Sequence, residues 1–404
     1  MTKRAASTKR AASTKPAPST KRRAKRPPAV SVIVPTRNAA DWVVSCLEAV
    51  RAAGPGEVIL VDGRSDDGTV MLAENLADQI IRDDGQGPGA ARNRGVEAAR
   101  HPWVLFVDVD VLLPAGAVKS LLDEATARSL DGLQASLRSI GTDYWSEQLA
   151  WHHNHGRSRS WFGVSATLLR TEVARSHPFD PALRSGEDAD LRIRLGLDGV
   201  AVGVSEQVEV VHRFAPGLAS ARAQWADDGA GLGRLVRKHG RPALRLLAVP
   251  FGAAAYWIAR TFRAPRRIPY FVGFLAGNWR SALSGLLDSR VPLSAADGRS
   301  AVAVGVLALL TGAAGLGLIA FALIVVLANL IPGVPELLLG AAVLPVLAGL
   351  AVLGLVGLEV IATLPEGHRL AVRTRRYRSR ILAFVLVMVV LTALRLLANL
   401  RLLN

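Results

Sequence analysis

The sequence predicts an α/β domain, a mostly parallel sheet with helices on both faces, followed by interfacial helices and a C-terminal α-helical transmembrane region. Three observations predict it. Short β-branched runs alternate with helical stretches through the first half of the chain. Long runs without charge crowd the end, residues 301–330 containing no charged side chain at all. The 404 residues are 50% hydrophobic but only 5% aromatic, so the apolar content lies in Ala, Leu, Val and Gly segments of the kind that face lipid.

Residues 1–28 come first. They repeat a hexad (TKRAAS, TKRAAS, TKPAPS, TKRRAK) and carry ten of the basic side chains, from Lys3 to Arg26, with no acid. Such a segment has too little apolar bulk to offset the entropy of ordering and reads as disordered. It lacks the apolar core of a signal peptide, so the N-terminus is expected to stay in the cytoplasm. The net charge of +16 is concentrated here. Anionic membrane lipids are the partner that suits this tail beside membrane spans, and no nucleic acid is expected. A solvated extension is the plainer alternative.

The α/β domain covers 29–235. Strands are expected at 30–34, 57–61 and 103–107, with helices at about 40–53, 68–77 and 89–100 between them. Weaker strands follow near 132–137, 161–169 and 207–211, and helices near 115–128 and 187–197. Cys46, the one cysteine, excludes an intrachain disulfide and a thiolate zinc cluster.

Residues 236–300 mix arginines such as Arg241, Arg260, Arg266 and Arg267 with Trp257, Tyr270, Phe271 and Trp279. That pattern suits a basic amphipathic region lying flat on a membrane. A structural helix pair packed on the preceding domain is the competing reading. Residues 301–404 hold about three spans, 301–330, 337–362 and 381–400. The first link (IPGVPE) has no basic residue, whereas the second carries Arg369, Arg373, Arg375, Arg376, Arg378 and Arg380. The positive-inside rule then predicts a multi-pass protein of the plasma membrane with its α/β domain in the cytoplasm.

The chemistry gathers at strand ends. Asp108-Val109-Asp110 closes the run WVLFV, where a parallel strand opens into a loop. Two acids exposed there do little for packing but suit a hard divalent cation that also grips phosphate oxygens. An isolated triplet of this kind is common, and its neighbours give it meaning. Val34-Pro35-Thr36-Arg37-Asn38 ends the first strand and Val61-Asp62-Gly63-Arg64-Ser65-Asp66-Asp67-Gly68-Thr69 the second. Gly85 to Gly95 (GQGPGAARNRG) precedes the third. Small residues there let backbone amides approach a diphosphate, and Arg92 or Arg94 is placed to neutralise it. Asp66 and Thr69 read equally well as helix caps.

These segments resemble the nucleotide-sugar half of the family 2 inverting glycosyltransferases, which have the GT-A (Rossmann-like) fold. Phe179-Asp180 and Gly186-Glu187-Asp188-Ala189-Asp190-Leu191 are similar to that family's acceptor block. Val211-His212-Arg213 and Gln224-Trp225…Gly229…Gly231-Leu232-Gly233 are similar to its later donor-site elements, and the resemblance covers about 30–235. It implies a nucleotide-diphosphate sugar donor and a carboxylate-base mechanism. Pro35, Thr36, Arg37, Asn38, Asp62, Gly89, Arg92, Asn93 and Asp108 would contact the donor. Asp110, supported by Asp108, would hold Mg2+ or Mn2+. Asp188 would be the general base, with Glu187 orienting that site. His212 is either a further metal or phosphate contact or a structural histidine. Gln224 and Trp225 are further donor- or acceptor-site candidates.

Two positions depart from the family pattern. Gly63 stands where many members have a second aspartate, and Arg222-Ala223-Gln224-Trp225 does not match the Q-x-x-R-W of processive synthases. The implied acceptor is a lipid-linked glycan or glycolipid hydroxyl, as in envelope and exopolysaccharide transferases. A polyprenyl-phosphate sugar synthase is the nearest enzymatic alternative. A non-catalytic membrane scaffold or transport component is the alternative of another class.

Overall fold

The computed structural model describes residues 30–155, 162–248, 250 and 265–309. Its chain alternates as the sequence suggests. Strand β1 (Val30–Thr36) leads through α1 (Ala40–Ala53) to β2 (Glu57–Asp62), then through α2 (Thr69–Ala73) to β3 (Gln79–Arg82). Helix α3 (Pro88–Ala98) returns the chain to β4 (Trp103–Val107). Next come β5 (Val111–Leu112), α4 (Ala117–Ala127), β6 (Gly132–Ile140) and α5 (Tyr144–His155). They are followed by β7 (Ala166–Arg170), α6 (Thr171–Ser176), α7 (Glu187–Leu197), β8 (Val202–Arg213) and α8 (Leu218–His239). Beyond these, α9 (Ile268–Leu286) folds back on α8.

The eight strands of the described residues join one sheet in the order β3-β2-β1-β4-β7-β6-β8-β5. Strands β1 to β4 are parallel, but β7 runs antiparallel to both neighbours and β5 antiparallel to β8. Since β6 and β8 pair in parallel, six of the eight strands run the same way, so the sheet is mostly parallel as expected and mixed only through β7 and β5. The reason lies in α5. Its last turn is still tied to the carboxyl end of β6, where Asn154 binds both backbone groups of Ser139. The chain has made no return crossing at that point, so β7 must run back down the sheet.

Helices cover both faces, as runs buried on two sides require. On one face α1 and α4 bury Val43, Leu47, Val50 and Leu121 against Val32, Val34, Leu60 and Leu105. On the other, α3, α6 and α7 bury Val96, Ala174, Leu191 and Leu195 against Ile33, Ile59, Val104 and Phe106. Helix α3 lies so close to β1 that a β-carbon on Gly95 would overlap Ile33 Cγ2 at its branch point. Gly95→Ala should destabilise the domain by about 1–3 kcal/mol through overpacking, outweighing a helix-propensity gain of up to about 1 kcal/mol. Denaturant unfolding of the purified chain measures this, and a variant as stable as the parent would contradict the packing.

Helix α8 runs unbroken past residue 235, the end expected for the α/β domain. Gly229 and Gly233 face Asn278, Ala282 and Gly285 of α9 with no room for a side chain on either helix. These glycines thus serve helix packing. Tyr270 and Phe271, expected from sequence as interfacial aromatics, are instead buried with Trp225, Phe274 and Leu149 between α5, α8 and α9. Trp225 of α8 fits there because Gly273 and Gly277 of α9 leave room for its side chain. Among the described residues no helix is long and apolar enough to cross a membrane. The basic tail 1–28, the stretch 251–264 and the three expected spans lie outside the described residues, apart from helical residues 301–309.

Candidate active site

The chain steps outward from β1 through β2 to β3, then comes back to β4 on the opposite side of β1. Strand order reverses between β1 and β4, and open α/β sheets form a crevice at such a point outside the carboxyl ends. A cleft of about 480 Å3 lies there. Thr36, Asp83, Asp108 and Asp110 line it together with Arg37, Arg184 and Glu187. Every strand end that the sequence singles out contributes, since Pro35 to Arg37, Gly63 and Asp108 to Asp110 all reach the same space.

The two acids of the D-x-D triplet have different surroundings. Asp108 is held by Arg92, whose Nη2 donates to Oδ1 at 2.6 Å. The other arm of Arg92 donates to Glu187 Oε1 at 2.8 Å, and only 4% of the Arg92 side chain is exposed. Arg92 therefore bridges β4 and α7 from inside the fold. Burial would weaken its charge, but Asp108 and Glu187 together hold it protonated. Burial raises the Glu187 pKa, and Asp188 adds to that, while Arg92 pulls it back in part.

Asp110 has a different partner. Its Oδ2 lies 3.4 Å from His212 Nε2, and its Oδ1 is buried with no hydrogen-bond partner among the described residues. The pairing of β5 with β8 sets Val111 opposite His212, so the two side chains meet by register. Burial tends to lower the His212 pKa, but the hydrogen bond and charge of Asp110 outweigh it and the net shift is upward. Cys46 lies under the same loop. Burial pushes its thiol up to about 12, which removes it as a nucleophile.

Glu187, Asp188 and Asp190 form the first turn of α7, where the helix dipole favours acids. Gly186 caps that turn in the left-handed region, at φ 81° and close against Gly231 of α8. A side chain at either glycine would force α7 and α8 apart. Asp190 is buried and ion-paired to Arg194, Lys238 and His239, and these partners hold its pKa down to about 2 against the cost of burial. Asp188 is half-buried, and its Oδ1 accepts from the amide of Ala189 at 2.7 Å.

This packing redistributes several of the roles expected from sequence. Arg92 does not present its charge to the cleft alone, being already shared between two acids, and Arg94 leans on Asp84. Among the described residues, the cleft cations without a side-chain partner are Arg37 and Arg184. Asn93 is a clamp on the backbone N–H and C=O of Phe179, both at 2.8 Å. Gly89 sits beneath Phe179 and Glu187. Asp62 is buried and accepts the amide of Ser65, while Asn38 binds the amide of Asp66. Trp225 is a core residue of the aromatic cluster, and Gln224 is exposed and bonded to Asp228.

Asp83 and Arg184 join the cleft without being marked in the sequence. Asp83 is buried there, with Oδ1 accepting the amide of Gly85 and Oδ2 without a partner among the described residues. Its one signal is the position of an acid closing the short run QIIR, too brief to stand out as a strand. Arg184 lies in the segment just before Gly186, and nothing in its spacing distinguishes it.

The family profile for glycosyl transferase family 2 matches residues 31–182, which spans all four strand ends of the cleft. Residues 31–182 are a family 2 glycosyltransferase domain. A PGL/p-HBAD biosynthesis glycosyltransferase of Mycobacterium tuberculosis is 40% identical over 91 residues, 20% of this chain and 36% of the relative. The succinoglycan biosynthesis protein ExoO of Rhizobium meliloti is 29% identical over 191 residues, 40% of this chain and 53% of ExoO. The chain thus spans roughly a third to a half of the length of these curated relatives. The crystal structure of S. aureus TarS 1-349 in complex with UDP-GlcNAc superposes with a TM-score of 0.41 at 17% identity, over 65% of this chain and 81% of that one. That likeness is too loose to build on. The profile match stops before Glu187, Asp188 and His212.

Proposed function

We propose that the protein is an inverting glycosyltransferase that moves a sugar from a nucleotide-diphosphate sugar to a hydroxyl of a membrane-associated acceptor, a lipid-linked glycan or glycolipid. The observation that carries this reading is the convergence of four strand ends on one cleft at the switch point, with Asp110 presenting a buried carboxylate oxygen that has no partner among the described residues. That orphan oxygen fits a divalent cation. Asp110 and His212 would hold Mg2+ or Mn2+, with the donor's own phosphate oxygens and water completing the shell. Among the described residues no cluster of three or more protein ligands exists. When bound, the cation supplies charge stabilisation for the diphosphate.

The protein's own residues supply the rest. Asp83 and the Pro35–Arg37 turn bound the part of the cleft suited to the nucleoside, and Arg37 and Arg184 face the diphosphate. Arg92 fixes Asp108 and Glu187 with respect to one another. Asp188 takes the proton of the acceptor hydroxyl while its oxygen bonds to the anomeric carbon, and the nucleotide diphosphate leaves from the opposite face. A phosphate acceptor would already be anionic, so the Glu187-Asp188 pair favours the hydroxyl over a polyprenyl phosphate. The arginines between the second and third expected spans favour a cytoplasmic catalytic domain at the plasma membrane.

The test is nucleotide release by the full chain in detergent, offering UDP-, GDP- and dTDP-sugars with Mn2+ or Mg2+ and membrane lipid extract as acceptor. Release of one nucleotide diphosphate, abolished by EDTA and by Asp110→Ala, is the expected result. If no donor is bound or turned over, the non-catalytic scaffold takes its place.

A further inference from the structure

A chain of side chains runs from the proposed cation site to helix α5, and it deepens the reading just proposed, on which it rests. His212 faces Asp110 with Nε2. Its other ring nitrogen, Nδ1, lies 3.4 Å from Ser139 Oγ. Ser139 Oγ in turn lies 2.7 Å from His153 Nδ1. The contacts are built by register. Strand β6 pairs in parallel with β8 and sets Ser139 directly beside His212. Asn154, the residue after His153, fastens α5 to the Ser139 backbone through its N–H and C=O, each at 2.8 Å. The rings of His153 and Phe214 then close around His212, with centroids at 5.7 and 4.6 Å from it.

Only one polarity of this chain leaves a lone pair on His212 Nε2. In that polarity, which a bound cation requires in place of the Nε2–H bond to Asp110, His212 would keep its proton on Nδ1 and donate to Ser139 Oγ, and the Ser139 hydroxyl would donate onward to His153 Nδ1. The opposite tautomer would place a proton on Nε2 and leave that nitrogen no lone pair to give a cation. Ligating histidines are commonly oriented in this way through their second nitrogen. We infer that Ser139 and His153 are positioning residues that set the tautomer and ring angle of His212, so that divalent-cation binding at Asp110 depends on the docking of α5. The helix is held on its other side by His152, whose Nδ1 meets Tyr270 OH of α9 at 2.9 Å. The cation site is thereby linked mechanically to the helix pair that leads into the C-terminal region.

The experiment measures Mn2+ affinity directly, from the free-ion signal in electron paramagnetic resonance, on the full chain in detergent with UDP present. Ser139→Ala and His153→Phe should each weaken Mn2+ binding by about 10–100-fold, while Ser139→Thr, which keeps the hydroxyl, should stay close to the parent. His153→Phe preserves the ring contacts, and Ser139→Ala removes a single oxygen, so loss of folding in one still leaves the other to decide. Parent-like Mn2+ affinity in Ser139→Ala, with affinity lost in Asp110→Ala, would overturn the relay and leave the proposed function standing. Parent-like affinity in Asp110→Ala itself would remove the cation site, and the relay with it.

Discussion

Asp188→Asn is expected to lower turnover by about 10^2–10^4-fold, the span over which positioned general bases act, while UDP binding in the presence of Mn2+ stays at the parent level. The separation follows from where Asp188 stands. It lies in the first turn of α7 on the side toward Gly163, whose β-carbon position is 3.5 Å from Asp188 Oδ2. Its neighbour Glu187, not Asp188 itself, lines the donor cleft and takes the Arg92 ion pair. The asparagine is isosteric and still accepts the amide of Ala189, so the turn should keep its shape. Single-turnover transfer and calorimetric titration with UDP read the two quantities apart. Full turnover in a folded Asp188→Asn variant would dismiss the base, and equal losses in binding and turnover would assign Asp188 to the donor instead.

Arg92→Met should be the most destabilising single change in the cleft, costing about 3–5 kcal/mol, or roughly 10 °C in Tm for a domain of this size. Asp108 and Glu187 are 26% and 10% exposed at the side chain, and Arg92 is the charge between them. Removing it leaves two acids in one partly dry space, and the buried Glu187 would take up a proton. Methionine keeps most of the aliphatic bulk, so the loss reports charge rather than volume. Lysine should rescue only part of it, since a single ammonium cannot reproduce two arms that donate at 2.6 and 2.8 Å. Donor turnover should fall along with stability in Arg92→Met, because the D-x-D loop and the α7 turn lose their common anchor. A variant with parent-like Tm would show that the two acids find other partners and that the bridge is dispensable.

Most of the strand ends that line the cleft are legible in the sequence because each is a local event. A β-branched run followed by a glycine, proline or acid says where a buried strand opens into a loop, as at Thr36, Asp62 and Asp108. Helix α5 is illegible for an equally local reason. Its run YWSEQLAWHHNH is weakly amphipathic, because it packs on β6 with one side and on α9 with another and so shows no single apolar stripe. Strand β3 is too short, and β5 has only two residues and exists through its pairing with β8. Trp225 and Asn93 share a different cause. They are aromatic or polar residues inside motif-like text, but burial against α9 and Phe179 gives them structural partners.

By itself the sequence determined that an α/β domain occupies the first half of this chain, which acids end its strands, and where long uncharged runs and arginine-rich links fall. Those are properties of spacing and composition within a few residues. Only the tertiary structure decided which charges remain free for a ligand. Arg92 finds Asp108 across 16 residues and Glu187 across 95, and Asp110 finds His212 through a strand pair that closes at the far edge of the sheet. An ion pair in a dry interior depends on distances of a few ångströms, and distances between residues so far apart in sequence are set by packing alone.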